Sequence, residues 1–308
     1  MPRQQRLFAD GSLLAVALVW GLSFVVMKDL LVTMSPMLMV LLRQLLAFAV
    51  VAPLPHALGA ARRRDWVTGG ALGLVLSLAW IAETFGLAHT TPGKAGFIIS
   101  LSVAMVPFMA AAVTRRRPVG AQVAGALVAT AGLAALSLRG DLTLSFGDGL
   151  CLLAAGLFAC QIVGVGLLAR HTPPLVLTVT QLAASAAFFC LATPFVDPLR
   201  LPHAWQSWAD LVFLGACAVS GPFFVQAWAQ RIVVSSEAAI LLSFTGLFAG
   251  VFAVLLWGEP LTWHLLVGAA GITAGLLILE LLPGSGLATD DGGGTGDERS
   301  VSPPRPKD

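Results

Sequence analysis

The sequence predicts an all-α integral membrane protein with ten transmembrane helices, arranged as two inverted repeats of five helices. Three observations support this class: the composition, the lengths of the apolar segments and a weak internal repeat. The 308 residues are 57% hydrophobic and 11% charged, with a mean hydropathy of +0.87, whereas soluble domains carry about 25% charged residues. A chain this apolar needs lipid as its solvent.

Ten apolar segments follow one another, each close to the roughly 20 residues that cross the hydrocarbon core of a bilayer. We expect all of them to be helical, because a helix satisfies its own backbone hydrogen bonds in lipid. No signal-cleavage site follows the first segment, so it is predicted to remain as a span. The predicted spans cover residues 13–32, 37–58, 67–88, 95–113, 119–138, 150–168, 175–195, 211–234, 238–257 and 261–282.

The basic residues between the spans are distributed unevenly and predict the orientation. Basic residues concentrate in cytoplasmic loops, so both termini are expected in the cytoplasm and the protein in the cytoplasmic (inner) membrane. Residues 283–308 are polar and rich in Gly and Pro, which predicts a disordered cytoplasmic tail. The inner side would hold Arg3, Arg6, Arg62, Arg63, Arg64, Arg115, Arg116, Arg117, Arg170 and Arg231, and the outer side Lys28, Lys94, Arg139 and Arg200.

An internal repeat divides the chain into two halves, residues 1–141 and 142–282. The motif FADG at residues 8–11 returns as FGDG at 146–149, and further pairs keep the same order along both halves. Five spans per half is an odd number, so the second half must be inverted in the membrane, as in many secondary transporters. The pairs are Pro36 with Pro174 and Arg43 with Gln181, 138 residues apart, then Glu83 with Gln226, Lys94 with Glu237 and Ser100 with Ser243, 143 residues apart.

Four landmarks follow one another along the chain: Trp20–Gly21 before Lys28, Ser35–Pro36 before Arg43, the segment GLAHTTPGKAGFIISLSVAMVP at residues 86–107, and WGEPLTW at 257–263. In these landmarks the chain resembles the EamA-type permeases of the drug/metabolite transporter superfamily. The resemblance implies a carrier that works by alternating access and commonly exports small metabolites. Three features depart from the family's pattern: Arg115 to Arg117 replace a frequent Glu, Gly246 and Gly250 replace a frequent Pro, and Glu83 replaces a more common Gln.

Three ionisable residues fall within one half of the chain and in the same part of the membrane: Glu83, Lys94 and Arg43. Charged side chains inside a membrane usually face a bundle interior or water and pair with one another. Two interpretations stay open for Glu83. It lines the pathway of a substrate, with protons as a possible coupling ion, or it forms an ion pair with Lys94 or Arg43 that only holds helices together.

Gln226 is the repeat partner of Glu83 and is expected opposite it across a central cavity. Phe85 and Trp228, two residues further along in each half, and Trp20 are further candidates for the cavity wall, with helix packing as the alternative. The five histidines lie near span ends and the four cysteines inside apolar runs, without the spacing of metal ligands or a catalytic centre. We therefore predict no catalytic residue, no metal and no cofactor.

The expected function is secondary-active transport of a small organic metabolite, such as an amino acid, a nucleoside or a drug-like compound, with export as the direction. The substrate is expected near the midplane between the third, fourth, eighth and ninth spans. An integral-membrane enzyme and a channel are the alternatives. The arginine triplets lack the interleaved aromatics of a nucleic-acid surface, so the expected partners are the substrate and the bilayer. The sequence carries no signal for an oligomeric state.

Overall fold

A computed structural model describes residues 3–54, 58–115, 120–137, 145–196 and 200–281. Every regular element in these residues is a helix, and they contain no strand. The predicted tail, 283–308, lies outside the described residues. The elements are α1 (Arg3–Thr33), α2 (Pro36–Val51), α3 (Arg63–Ala88), α4 (Pro92–Ser100), α5 (Ser102–Thr114), α6 (Gly120–Ser137), α7 (Phe146–Leu168), α8 (Pro174–Val196), α9 (Trp205–Val212), a π-helical segment (Phe213–Ser220), α10 (Gly221–Ala229), α11 (Ser235–Leu256) and α12 (Trp263–Leu281).

The helix starts follow from local sequence signals. Pro36 and Pro92 occupy the first turns of α2 and α4, where the missing N–H of proline costs nothing. At the start of α7, the Ser145 hydroxyl accepts a hydrogen bond from the Asp148 N–H, and the Asp148 carboxylate accepts one from the Ser145 N–H. This reciprocal cap satisfies two backbone donors that the helix itself leaves unpaired.

In the part of the chain that the structure describes, seven helical segments are long and apolar enough to cross a membrane: Gln4–Thr33, Arg63–Ala88, Pro92–Val113, Phe146–Leu168, Pro174–Val196, Trp205–Ala229 and Ala238–Leu256. They coincide with seven of the ten predicted spans and confirm an all-helical membrane protein. The predicted second span, 37–58, is shorter than expected, because α2 ends at Val51, ahead of Pro53 and Pro55. Leu266–Gly275 in α12 is a second shorter apolar helix. The count of ten spans stays a prediction.

Helix α3 packs closely against α8 through small residues. A Cβ atom added at Gly73 would clash with the backbone carbonyl of Gln181, and one added at Gly69 would clash with the side chain of Thr180. One turn further on, the hydroxyl of Ser77 donates a 2.8 Å hydrogen bond to the hydroxyl of Ser185. Small residues allow this approach in a membrane, where association depends on van der Waals contact and interhelical hydrogen bonds.

The α3–α8 contact predicts opposite effects for two neighbouring glycines. Gly73→Ala is expected to destabilise the protein by about 1–3 kcal/mol through overpacking against the Gln181 backbone. Gly70→Ala is the matched control, since its added Cβ would meet only Ala184 at 3.9 Å and alanine favours a helix by up to about 1 kcal/mol over glycine. Thermal unfolding of the purified variants measures both effects. Equal melting temperatures for the two variants would contradict the packing described here.

Candidate functional site

A cavity lies at the centre of the helical bundle, with a volume of about 70 Å³. Its wall combines two charged side chains with aromatic, aliphatic and small polar residues. The predicted site lay between the third, fourth, eighth and ninth spans, whereas α1, α2 and α7 also contribute to the observed wall. The lining residues are Trp20, Ser23, Phe24, Met27, Arg43, Trp80, Glu83, Ile99, Ser100, Ser102, Phe158, Gln161, Ile162, Ala218, Val219, Phe223, Leu242 and Thr245.

Arg43 on α2 and Glu83 on α3 face one another at this wall. Their nearest side-chain atoms, Nη2 and Oε2, are 3.9 Å apart, and both residues are buried, with 3% and 7% of their surfaces exposed. This distance is that of an ion pair without a direct hydrogen bond. The two opposite charges therefore compensate one another in the protein interior, but no direct hydrogen bond joins the two side chains.

The guanidinium of Arg43 has further contacts that fix its position. It lies over the ring of Trp80 at 5.1 Å from the centroid, and its Nη1 donates to the sulfur of Met27 at 3.1 Å. Its Nε and Nη2 donors have no hydrogen-bond partner among the described residues. Buried donors are nearly always hydrogen-bonded in proteins, so these two groups at the cavity wall are suited to an acceptor on a bound molecule.

Three large aromatic residues lie beside the charged pair and contact one another at an angle. The ring of Phe223 contacts Trp20 at a centroid distance of 5.7 Å and Trp80 at 5.4 Å. The indole N–H of Trp20 donates a 2.8 Å hydrogen bond to the carbonyl of Ala218 in the π-helical segment. The rings are thus held in place from both halves of the chain and present an apolar surface next to Arg43 and Glu83.

Gln226, the repeat partner of Glu83, reaches the cavity only through a neighbour. Its amide donates to Gln161 on the wall at 3.2 Å, and Gln161 donates to Gln181 at 3.3 Å. Gln181 in turn donates to the carbonyl of Leu177 at 3.1 Å. The second half therefore places a chain of buried amides where the first half places the pair of charges.

Lys94 does not pair with Glu83 in the structure. Its ammonium contacts the Asp148 carboxylate at 2.6 Å, at the start of α7. The other oxygen of Asp148 accepts a hydrogen bond from the Thr90 hydroxyl at 3.1 Å. Asp148 is completely buried, so this ion pair ties the turn between α3 and α4 to α7.

Two more polar residues close the same end of the bundle, which we call the Asp148 end. The ammonium of Lys28 donates to the carbonyls of Leu87 and Thr90 at 2.8 Å each. The carboxylate of Glu259 accepts from the Thr91 hydroxyl at 2.7 Å and from the Gly93 N–H at 3.1 Å. Glu259 thereby places a negative charge at the N-terminus of α4, where the helix dipole stabilises it.

Phe85 and Trp228 do not line the central cavity. Phe85 is partly buried and packs against the hydrophobic core. Trp228 lies at the opposite end of the bundle, which we call the Arg231 end, and its ring meets Phe8 edge-on at 5.6 Å. Of the seven candidate residues, the structure brings Trp20, Arg43 and Glu83 together at the cavity. Gln226 does not line the cavity but is hydrogen-bonded to a residue that does.

Sequence reasoning missed several wall residues that the repeat could have indicated. Trp80 lies three residues before Glu83 and therefore on the same helix face, and Phe223 stands in the same relation to Gln226. Phe158 is 138 residues after Trp20, the offset of the first part of the repeat. Aromatic residues at repeat-related positions were thus the available signal.

Comparison with known proteins places the chain in a family. The EamA-like transporter family matches residues 7–138 and 145–281. The chain belongs to the EamA-like transporter family. A relative from Archaeoglobus fulgidus, named an uncharacterized transporter, is 31% identical to this EamA-like transporter over 284 residues, covering 90% of this chain and 87% of the relative.

A solved crystal structure of a protein resembles this EamA-like transporter with a TM-score of 0.67 and 20% identity, covering 91% of this chain and 98% of that one. At this identity the likeness shows the fold alone. Family membership confirms the resemblance inferred from the sequence and establishes a multi-pass membrane transporter, whose partners are a small-molecule substrate and the lipid bilayer. Within the described residues, no three His, Cys, Asp or Glu side chains are grouped as metal ligands.

Proposed function

We propose that the chain is a secondary-active transporter that exports a small organic metabolite across the cytoplasmic membrane by alternating access. The observation that carries this proposal is the Arg43–Glu83 pair in a central cavity walled by Trp20, Trp80 and Phe223. Intramembrane charges that face a cavity typically mark the path of a substrate or an ion. An enzyme would instead need reacting groups in a defined arrangement.

The chemistry of the wall favours a compound that carries both charge and a ring. The free Nε and Nη2 donors of Arg43 suit a carboxylate or phosphate, because guanidinium donors match the geometry of both anions. The carboxylate of Glu83 suits an ammonium group or a coupling proton. The rings of Trp20 and Phe223 suit a flat apolar group. Among amino acids, nucleosides and drug-like compounds, an amino acid with an apolar side chain fits all three features.

The cavity wall consists largely of repeat-related pairs, which supports two inverted halves at residues 1–141 and 142–282. Secondary transporters built from such halves bind substrate at the interface between them, and a residue from each half would then line the site. Six pairs meet this expectation at offsets of 138 or 143: Trp20 with Phe158, Ser23 with Gln161, Phe24 with Ile162, Trp80 with Phe223, Ile99 with Leu242 and Ser102 with Thr245.

Helix contacts follow the same symmetry. Helices at equivalent positions in the two halves pack together, namely α2 with α8, α4 with α11 and α6 with α12. The contact of α3 with α8 is matched by the contact of the π-helical segment with α2. In the first, the Ser77 hydroxyl bonds Gly73 and Ser185, and in the second, the Ser220 hydroxyl bonds Gly215 and Ala47.

The size of the cavity supports alternating access. About 70 Å³ admits several water molecules but is smaller than the clefts that hold drug-sized ligands. The helices must therefore separate for a metabolite to enter or leave. The Lys94–Asp148 pair closes the Asp148 end, and its rupture would open the cavity on that side. We assign the Asp148 end to the outer face of the membrane, because the basic residues are concentrated at the other end.

Inverted halves predict the sides on which loops lie. The link between the halves, around residues 139–144, is expected outside the cell, and both termini are expected in the cytoplasm, since five spans separate the link from each terminus. Reporters fused within the link and at the C-terminus should therefore respond to opposite sides of the membrane. Two reporters on the same side would exclude an odd number of spans in the second half.

Transport is tested by comparing sealed and permeable systems with the same protein. Thermal unfolding in the presence of amino acids, nucleosides and drug-like compounds selects ligands, because a ligand that binds only the folded state raises the melting temperature. Each ligand is then loaded into proteoliposomes, and its efflux is followed. We expect efflux from sealed vesicles without chemical change of the ligand. Conversion of the ligand by the protein in detergent would indicate an enzyme instead.

A further inference from the structure

A second and larger pocket lies at the Arg231 end, outside the proposed transport site. Its volume is about 720 Å³, and no residue is shared with the central cavity. It is formed by the first turns of α1, the end of α7 and the end of α10. The lining residues are Gln4, Gln5, Phe8, Arg170, Trp228, Arg231 and Ile232.

The described residues that line the pocket include two arginines and no acidic residue. Arg170 follows α7 and Arg231 follows α10, and both side chains are exposed. Within the described part of the chain, neither guanidinium forms an ion pair. A guanidinium presents several N–H donors in a plane and binds phosphate oxygens in pairs. Two such groups beside the amides of Gln4 and Gln5 form a site suited to a phosphate.

An apolar surface adjoins these charges. Leu7 and Phe8 on α1 are 62% and 68% exposed, and Trp228 packs edge-on against Phe8 at 5.6 Å. Tryptophan is enriched at the level of lipid headgroups, because its ring is apolar and its N–H is polar. A ligand with a phosphate and an apolar chain would match both the charges of the pocket and the adjoining surface of Leu7 and Phe8.

We propose that this pocket binds the headgroup of an anionic phospholipid. Its phosphate contacts Arg170 and Arg231, and its acyl chain runs along Phe8 and Leu7. Basic pockets between transmembrane helices at the cytoplasmic face are a known setting for such binding. The lipid would join the start of α1 to the ends of α7 and α10, which come from both halves of the chain. This inference requires membrane insertion and is independent of the identity of the transported compound.

Thermal unfolding in detergent with added lipid tests the proposal. We expect phosphatidylglycerol to raise the melting temperature of the wild-type protein by several degrees, and phosphatidylcholine to have little effect. The double variant Arg170→Gln/Arg231→Gln should lose the response to phosphatidylglycerol. Both side chains are exposed, so the variant is expected to fold and to keep the wild-type melting temperature without lipid. Each single variant should lose part of the response.

A matched control is the double variant Arg63→Gln/Arg64→Gln. It removes two exposed arginines from the start of α3, at the same end of the bundle but outside the pocket, and should respond as the wild type does. If the control lost the response to phosphatidylglycerol equally, the response would depend only on the positive charge of this end of the bundle, and the proposal would be overturned. A full response to inorganic phosphate or glycerol phosphate, without an acyl chain, would assign the pocket to a soluble anion and overturn it as well.

Discussion

Glu83→Gln is expected to reduce transport in sealed vesicles by about tenfold or more, which corresponds to the loss of roughly 1.4 kcal/mol of interaction. The carboxylate of Glu83 supplies a negative charge to the cavity wall and lies 3.9 Å from the guanidinium of Arg43. An amide of the same shape retains hydrogen bonding but removes the charge that would bind an ammonium group or carry a proton. If protons are coupled through Glu83, the remaining transport should also lose its dependence on pH.

The same substitution leaves Arg43 without its counter-charge. Breaking a buried ion pair on one side costs about 3–5 kcal/mol, and we expect the lower end of this range, because the pair is loose and borders a cavity that admits water. The melting temperature of Glu83→Gln should therefore fall, although the protein should still fold. A loss of transport in this variant alone would then have two explanations, a direct role of Glu83 and a structural one.

The double variant Arg43→Gln/Glu83→Gln separates these explanations. It removes both charges and gives the first half the amides that the second half already carries at the equivalent positions, Gln181 and Gln226. The melting temperature should recover towards the wild-type value, while transport should stay low. Recovery of both stability and transport would show that Glu83 is only an ion-pair partner. Unchanged transport by Glu83→Gln at every pH would lead to the same conclusion.

Lys94→Met is expected to expose the Asp148 end and to raise the labelling rate of Cys151 about tenfold. Cys151 is fully buried, one turn after Asp148, where its sulfur lies against Gly86. The turn between α3 and α4 must move away from α7 before a reagent can reach this thiol. We assign roughly 1.4 kcal/mol to the lost contact, less than for the Arg43–Glu83 pair, because Lys94 is partly exposed and Asp148 keeps its hydrogen bonds from Thr90 and Ser145; this loss raises the open population about tenfold. The variant retains the cap of α7, because Asp148 still accepts from the Ser145 N–H.

The measurement uses a membrane-impermeant thiol reagent on intact cells. The other cysteines, Cys160, Cys190 and Cys217, are exposed and are replaced by alanine, so that Cys151 alone reports. Arg200→Gln is the matched control, since it removes a cation near the same end that has no contact with Asp148. An equal increase in the control would argue against a specific role for Lys94. Labelling only after permeabilisation would reverse the orientation assigned to the bundle.

Much of the local structure could be predicted from the sequence. The predicted spans overlap the observed helices, and local signals account for several helix starts: α2 and α4 begin at Pro36 and Pro92, and α7 begins after the capping residue Ser145. The second span was predicted too long, because hydropathy continues past Val51 while the helix ends there, two residues before Pro53. Hydropathy measures the preference for lipid, whereas proline removes a backbone donor and constrains the preceding residue.

The sequence by itself determined the helical class, the membrane environment and the positions of costly charges, because these depend on composition and on spacing along one helix. It could not choose between Arg43 and Lys94 as the neighbour of Glu83. That choice belongs to the tertiary structure, in which the turn between α3 and α4 directs Lys94 to Asp148 and leaves Arg43 beside Glu83. The physical reason is that periodicity sets the face of each residue on its own helix, while the pairing of residues on different helices depends on how closely those helices pack, as α3 and α7 do at Gly86.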